Sequence, residues 1–142
     1  MSAPRLVGAS ARSLRAELDA GRTTATELAA LTLARIAAYD VAGPRLNAVP
    51  VLAPDVFEAA AAADARIRAG RPAGPLDGIP FTAKESYSVR GMTVSAGSPA
   101  FEHLVAGEDA FAIERMRAAG AVLIGLTTMP PMQPAQPAIS SC

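Results

Sequence analysis

Apolar positions recur along the chain at spacings that separate helical from extended stretches. Ser13 is placed to cap a short helix running through Leu14 and Leu18 to about Ala20, and Gly21 follows where a helix commonly stops. Thr24 and Glu27 form a capping-box pattern, in which hydroxyl and carboxylate each satisfy a backbone donor that the first turn leaves free. The helix they open continues through Leu28, Leu31, Leu33 and Ile36 to about Tyr39, and residues 40–44 read as a break. Residues 46–52 (LNAVPVL) read as a short extended segment. Pro50 has no N–H to donate to a central ladder, so an edge position is expected. Pro54 and Asp55 then open a helix, proline suiting a first turn and aspartate the positive end of the dipole. Its apolar stripe, Val56, Ala60, Ala63 and Ile67, falls at i, i+4, i+7 and i+11, and Gly70 ends it.

Residues 70–80 (GRPAGPLDGIP) hold three glycines and three prolines, which marks a surface loop with fixed turns. A short strand is expected over 81–85, a small-residue loop over 91–99, and a helix over 109–119 with Ala110, Ile113 and Met116 on one face. Gly120 closes that helix, and residues 121–126 (AVLIGL) form a compact apolar run suited to a buried strand. Strand, helix and buried strand in this order predict a parallel α/β sheet. The last stretch, 130–142, has four prolines and no periodicity. It is expected to be irregular, so the organisation predicted is one domain portion over 1–132 and a tail over 133–142.

Composition narrows the function classes. Apolar residues make up 51% of 142 and charged residues 18%, which argues for a folded chain rather than disorder. Lys+Arg and Asp+Glu are equal at 13, so there is no basic field to follow a nucleic-acid backbone. Scattered arginines and short apolar runs argue against a membrane surface or span. The one cysteine, Cys142, can form no internal disulfide, and the one histidine, His103, cannot make a metal site alone. No signal peptide is read at the start, and a cytoplasmic protein is expected.

The most informative segment is 74–85, GPLDGIPFTAKE. Its Gly-Pro and Gly-Ile-Pro elements fix turns before a short strand that ends in Lys84. A lysine at a strand's end in an α/β sheet is well placed to face a ligand crevice. A free lysine titrates at about 10.4 and cannot accept a proton at neutral pH. Burial lowers that value, and a neutral buried amine can act as base for a serine. Glu85 would oppose this if it pointed at the amine, but neighbours on a strand face opposite sides. On physical grounds alone, an isolated lysine is more often a solvated surface charge than a base.

The company this lysine keeps resembles the amidase-signature family. In that family a segment of the form G-P-L-x-G-I-P-F-x-x-K-[DE] carries the catalytic lysine, and here Lys84 falls on that position. Similar too are Val89-Arg90-Gly91-Met92-Thr93 with Ala96-Gly97-Ser98, then Asp109-Ala110, Met116-Arg117-Ala118-Ala119-Gly120-Ala121, and Gly125-Leu126-Thr127-Thr128-Met129-Pro130. The opening GRTTATELAALTLARI over 21–36 and Leu46-Asn47-Ala48 also match, so the likeness spans roughly residues 10–132. The resemblance implies the N-terminal part of the amidase-signature fold, with helices packed on the first strands of a mixed, largely parallel sheet. It implies hydrolysis of carboxamide C–N bonds by a Ser–cis-Ser–Lys mechanism, a small-molecule amide as substrate, and no metal or organic cofactor.

Three departures shape the expectation. Glu85 stands where the family more often has Asp, and Gly125-Leu126-Thr127-Thr128 stands where it usually has G-K-T-N. The family's glycine-rich segment with its two serines lies beyond this region. Ser140 and Ser141 are adjacent but lack surrounding glycines, and no serine role is carried onto them. The expectation is an amidase piece, inactive alone, with a frameshift or early stop near Gln133 as one origin. The alternative is a noncatalytic fragment or subunit that binds a partner, such as a complementing C-terminal half or the other subunits of an amidotransferase. Ser86, Ser88, Ser95 and Ser98 are expected to shape turns, Met129 and Met132 to pack, and His103 to lie on the surface.

Overall fold

The computed structural model describes residues 6–129. Its first helix, α1 (Ala11–Asp19), begins a turn earlier than the sequence pattern suggests. Ser10, not Ser13, is the cap. The Ser13 N–H donates to Ser10 Oγ at 3.1 Å, and the Ser10 N–H donates to Ser13 Oγ at 3.0 Å. Ser13 is thus the returning partner at the third helical position, a role its hydroxyl fills in place of the commoner Glu. Leu14 and Leu18 remain the buried face.

Helix α2 (Ala25–Ile36) starts at the expected box. Thr24 Oγ1 accepts from the Glu27 N–H at 3.0 Å, and Glu27 Oε2 accepts from the Thr24 N–H at 2.9 Å. A second cap arrives from far along the chain. The Asp64 carboxylate, on α3 (Val56–Arg68), accepts from the Ala25 N–H at 2.6 Å and the Thr26 N–H at 3.1 Å. Asp64 is itself buried. A carboxylate at a helix N-terminus meets both free N–H groups and the positive end of the dipole. One residue therefore locks α2 to α3.

After Ile36 the chain widens into a π-helical turn, Ala37–Val41, rather than breaking at residue 40. Asp40 is buried there, and its carboxylate accepts from the Ala48 N–H at 2.6 Å and the Val49 N–H at 2.9 Å. Arg45 and Asn47 take left-handed backbone angles, with φ of 55° and 49°. These two features explain why the extended segment expected over 46–52 shrinks to β1 (Val51–Leu52). The donors before it are already committed to the turn.

Among the described residues the sheet has three strands in the order β1-β3-β2, with β2 at Pro80–Lys84 and β3 at Val122–Thr127. β2 runs parallel to β3, from Pro80 beside Val122 to Lys84 beside Thr127. β1 pairs antiparallel with β3, so the sheet is mixed and β1 is the edge that Pro50 required. Every residue of β3 from Val122 to Leu126 is buried, as its unbroken apolar run demands. Gly125 is part of that design: a Cβ there would collide with the carbonyl oxygen of Val51, so β1 could not approach.

Helices α2 and α3 pack together against β3, and α4 (Phe111–Ala118) carries the chain from the β2 side to β3. α4 starts two residues later than expected, with Ala110 as its cap and Ile113 on its buried face. Asp109 is engaged elsewhere instead, accepting from the Arg90 N–H at 2.8 Å and pairing with Arg117 at 3.2 Å. The largest fully buried side chains are Leu28, Ile124, Leu126, Val89, Val122 and, unusually, Asp77. Each large aliphatic among them contributes about 1.5–3 kcal/mol by leaving water. No helix among the described residues is long and apolar enough to cross a membrane. The tail expected over 133–142, with Ser140, Ser141 and Cys142, lies outside the described residues, as does Met132.

Candidate active site

The Gly/Pro segment before β2 is fixed from inside. The Asp77 side chain is wholly buried and receives the Arg66 guanidinium on both oxygens, at 2.6 and 3.1 Å. It also accepts from the Ala73 N–H at 2.7 Å. The Asp77 carboxylate beside Arg66 raises the guanidinium above its ordinary pKa, outweighing the opposing effect of burial. Around this hub the loop is stitched to the end of α4: the Leu76 N–H donates to Ala119 O at 3.2 Å and the Gly78 N–H to Gly120 O at 3.0 Å. Gly120 has φ of 88°, and a Cβ there would sit 2.5 Å from an Asp77 carboxylate oxygen. The turn chemistry legible in the sequence thus delivers β2 into the sheet beside β3 in one register.

That register brings the carboxyl ends of both parallel strands together, with Lys84 beside Thr127. In open α/β sheets this is the end at which ligands bind. Thr127 Oγ1 donates to Ala83 O at 3.3 Å, and the Glu85 N–H donates to Thr127 O at 3.0 Å. A tight turn follows, in which the Tyr87 N–H donates to Lys84 O at 2.9 Å.

Lys84 and Glu85 part company here. Lys84 is exposed, whereas Glu85 is buried, with 3% of its surface accessible. The expectation of a lysine buried in a pocket is corrected for the described residues. β2 is an outer strand of the sheet, and none of the described elements closes over the Lys84 side chain. The two neighbours thus lie in different surroundings, as expected, with Glu85 at the first position beyond the strand.

The Glu85 carboxylate accepts from Ser95 Oγ and from the Met129 N–H, both at 2.8 Å. Neither contact is legible in the sequence. The sequence pattern makes Ser95 a turn residue, and its hydroxyl instead reaches across to the strand end. Beside this carboxylate lies a cavity of about 280 Å³ lined by Val51, Glu85, Thr93, Ser95, Ser98, Pro99 and Glu102. A larger groove of about 580 Å³, between Leu6, Thr32, Ile36 and Leu46, lies on the α2 side and includes none of these residues. Ser86 is exposed and Ser88 half-buried, and His103 is exposed beside Glu102 at 3.3 Å. Among the described residues no group of three or more His, Cys, Asp or Glu side chains is arranged to hold a metal ion.

Comparison with known proteins agrees with this layout. The Amidase family model matches residues 27–134. A glutamyl-tRNA(Gln) amidotransferase subunit of Aromatoleum aromaticum is 42% identical over 125 residues, covering 87% of this chain and 25% of that protein. The subunit of the same name from Chloroflexus aurantiacus is 45% identical over 112 residues, covering 78% of this chain and 22% of that protein. Among solved structures, the peptide amidase of Stenotrophomonas maltophilia superposes with a TM-score of 0.83 at 40% identity, over 87% of this chain and 25% of that one. The chain therefore spans about a quarter of the length of the relatives it matches. With the family model across most of its length and the same fold at 40% identity, the chain belongs to the amidase family.

Proposed function

We propose that this chain supplies the catalytic lysine, Lys84, for hydrolysis of carboxamide C–N bonds by a Ser–cis-Ser–Lys mechanism. The observation that carries the reading is the pairing of Lys84 with Thr127 at the joined carboxyl ends of β2 and β3, within the stretch matched to the family. In this mechanism the neutral amine takes a proton from one serine, which relays to a second. The second serine attacks the amide carbonyl, the amine or ammonia leaves, and water releases the acid from the acyl-enzyme. The serines of that scheme have no counterpart among the motifs of these 142 residues. The amine acquires its function when a serine-bearing segment closes over it, and that same covering would remove it from water and favour its neutral form.

A second reading is favoured by the names of the relatives, which are subunits of a glutamyl-tRNA(Gln) amidotransferase. Here the chain acts as part of an assembly, its strand-end face meeting a partner polypeptide.

The experiment mixes the 142-residue chain with a polypeptide corresponding to the remainder of a family-length amidase, and assays ammonia release from simple carboxamides. The catalytic reading expects no hydrolysis by the chain alone and hydrolysis on mixing. Hydrolysis by the chain alone overturns it. Binding without hydrolysis favours the subunit reading.

A further inference from the structure

The buried carboxylate of Glu85 has no place in the scheme above, yet it occupies the junction on which that scheme depends. Three pieces of chain meet at it: the end of β2 carrying Lys84, the 93–98 loop through Ser95, and the chain leaving β3 through Met129. The residue's own N–H donates to Thr127 O at 3.0 Å, so backbone and side chain both grip the β3 exit. A carboxyl group that accepts from a backbone N–H and a hydroxyl in a buried site is shielded from competing water.

We propose that Glu85 is a positioning residue that fixes Lys84 relative to the chain leaving β3, by sharing one carboxylate between Ser95 and Met129. Its significance rests on Lys84 being the proton acceptor. The family match continues past this point to residue 134, so the clamp lies inside the matched stretch, at the last described residue of the chain. Lys84 immediately precedes Glu85 in the chain and shares no side-chain contact with it among those described, so Glu85 acts on it through the backbone. The loop arm matters because Ala96, beside Ser95, holds a left-handed φ of 47°, a conformation that needs support from its surroundings.

The test uses the intact chain and a readout independent of hydrolysis. Lys84 is the one lysine of the sequence, so reductive methylation with labelled formaldehyde gives a single side-chain signal besides the α-amine. Amide hydrogen exchange and that signal are followed in Glu85→Ala, Glu85→Gln and, as a control for general loosening, Asp64→Ala at the distant α2–α3 contact. In Glu85→Ala, exchange at Met129 should rise on the order of ten- to a hundredfold above any rise in the interior of β3, and the methyl-Lys84 signal should move. Glu85→Gln, which keeps an acceptor oxygen, should restore most of the protection. Asp64→Ala should leave the Lys84 signal in place.

The proposal fails if Met129 exchanges at the original rate in Glu85→Ala, if it rises only in step with β3, or if Asp64→Ala moves the Lys84 signal equally. Should Glu85→Ala not fold, Ser95→Ala decides. It should release the loop amides of Val94 and Ser98 while Met129 stays protected, and a protected loop overturns the shared clamp. An inactive assembly with an intact clamp would count against Lys84 as base and leave the clamp standing, so the two failures are distinguishable.

Discussion

The two ends of β2 are built on opposite principles. At its start, the Gly/Pro segment is closed upon itself: Asp77 is fully buried, its oxygens are bound, and Arg66, Ala73, Ala119 and Gly120 complete the surround. At its finish, Lys84 and Tyr87 are exposed, and β2 has no second strand partner among the described residues. The first end holds the strand in register. The second is the strand end at which open α/β sheets bind ligands, and the described residues leave Lys84 exposed there. The contrast teaches that stability and candidate catalysis sit at separate places on one five-residue strand, so they can be perturbed separately.

The largest effect is expected from Arg66→Ala, which strands the buried Asp77 carboxylate without its cation. Arg66 itself is partly exposed, so water screens the pair and the loss falls at the low end of the range for a buried pair, about 3 kcal/mol, still a large share of a small domain's stability. Thermal melting should show the cooperative transition lost or lowered by many degrees. Retention of the wild-type melting temperature would mean that the closed end is not the source of stability.

Gly125→Ala comes next, because its new Cβ would press on the Val51 carbonyl. Overpacking of this kind costs about 1–3 kcal/mol. It should detach β1, seen as faster exchange of the Ala53 N–H that donates to Ile124 O. Thr24→Ala removes one half of the α2 capping box and should cost about 1 kcal/mol in denaturant unfolding. The Asp64 cap on the neighbouring N–H groups remains, so a loss well above that would mean the two caps are coupled.

The smallest effect concerns acid. Arg22 hydrogen-bonds to Glu17 and holds its pKa below the ordinary 4.5. A depressed carboxylate contributes stability above its unfolded pKa and loses it as pH falls through the folded one. The pair is solvent-exposed, so salt and side-chain entropy reduce the contribution. Comparing Glu17→Gln with wild type should show the difference in stability shrink as the pH falls below the ordinary 4.5 and vanish below the lowered folded-state value, and persist if some other group is responsible.

How much of this was written in the sequence follows from the range of each interaction. The helices over α2 and α3, the edge position of β1 and the buried β3 were legible because they depend on local periodicity, capping pairs and one proline. The lysine and its strand were legible because turn residues cluster in front of them. The missed features all involve residues far apart in sequence. Asp64 caps a helix 39 residues upstream, and Glu85 reaches Met129 across 44. An aspartate or glutamate among small residues looks like surface until the fold shows which N–H groups it faces. The expected burial of Lys84 failed for a related reason. A strand's alternation tells which neighbours share a face, but what covers that face is a property of the whole sheet.

Central to the account is that Lys84 serves chemistry and not stability. An exposed side chain with no hydrogen bond or ion pair among the described residues should be replaceable within about 0.5 kcal/mol. The most direct measurement is amide hydrolysis by the chain carrying Lys84→Met, mixed with the remainder of a family-length amidase. The account predicts an unchanged melting temperature of the variant chain and a fall in the hydrolysis rate on the order of a thousandfold, the scale of a lost general base. Hydrolysis at the rate of the unsubstituted assembly would contradict it.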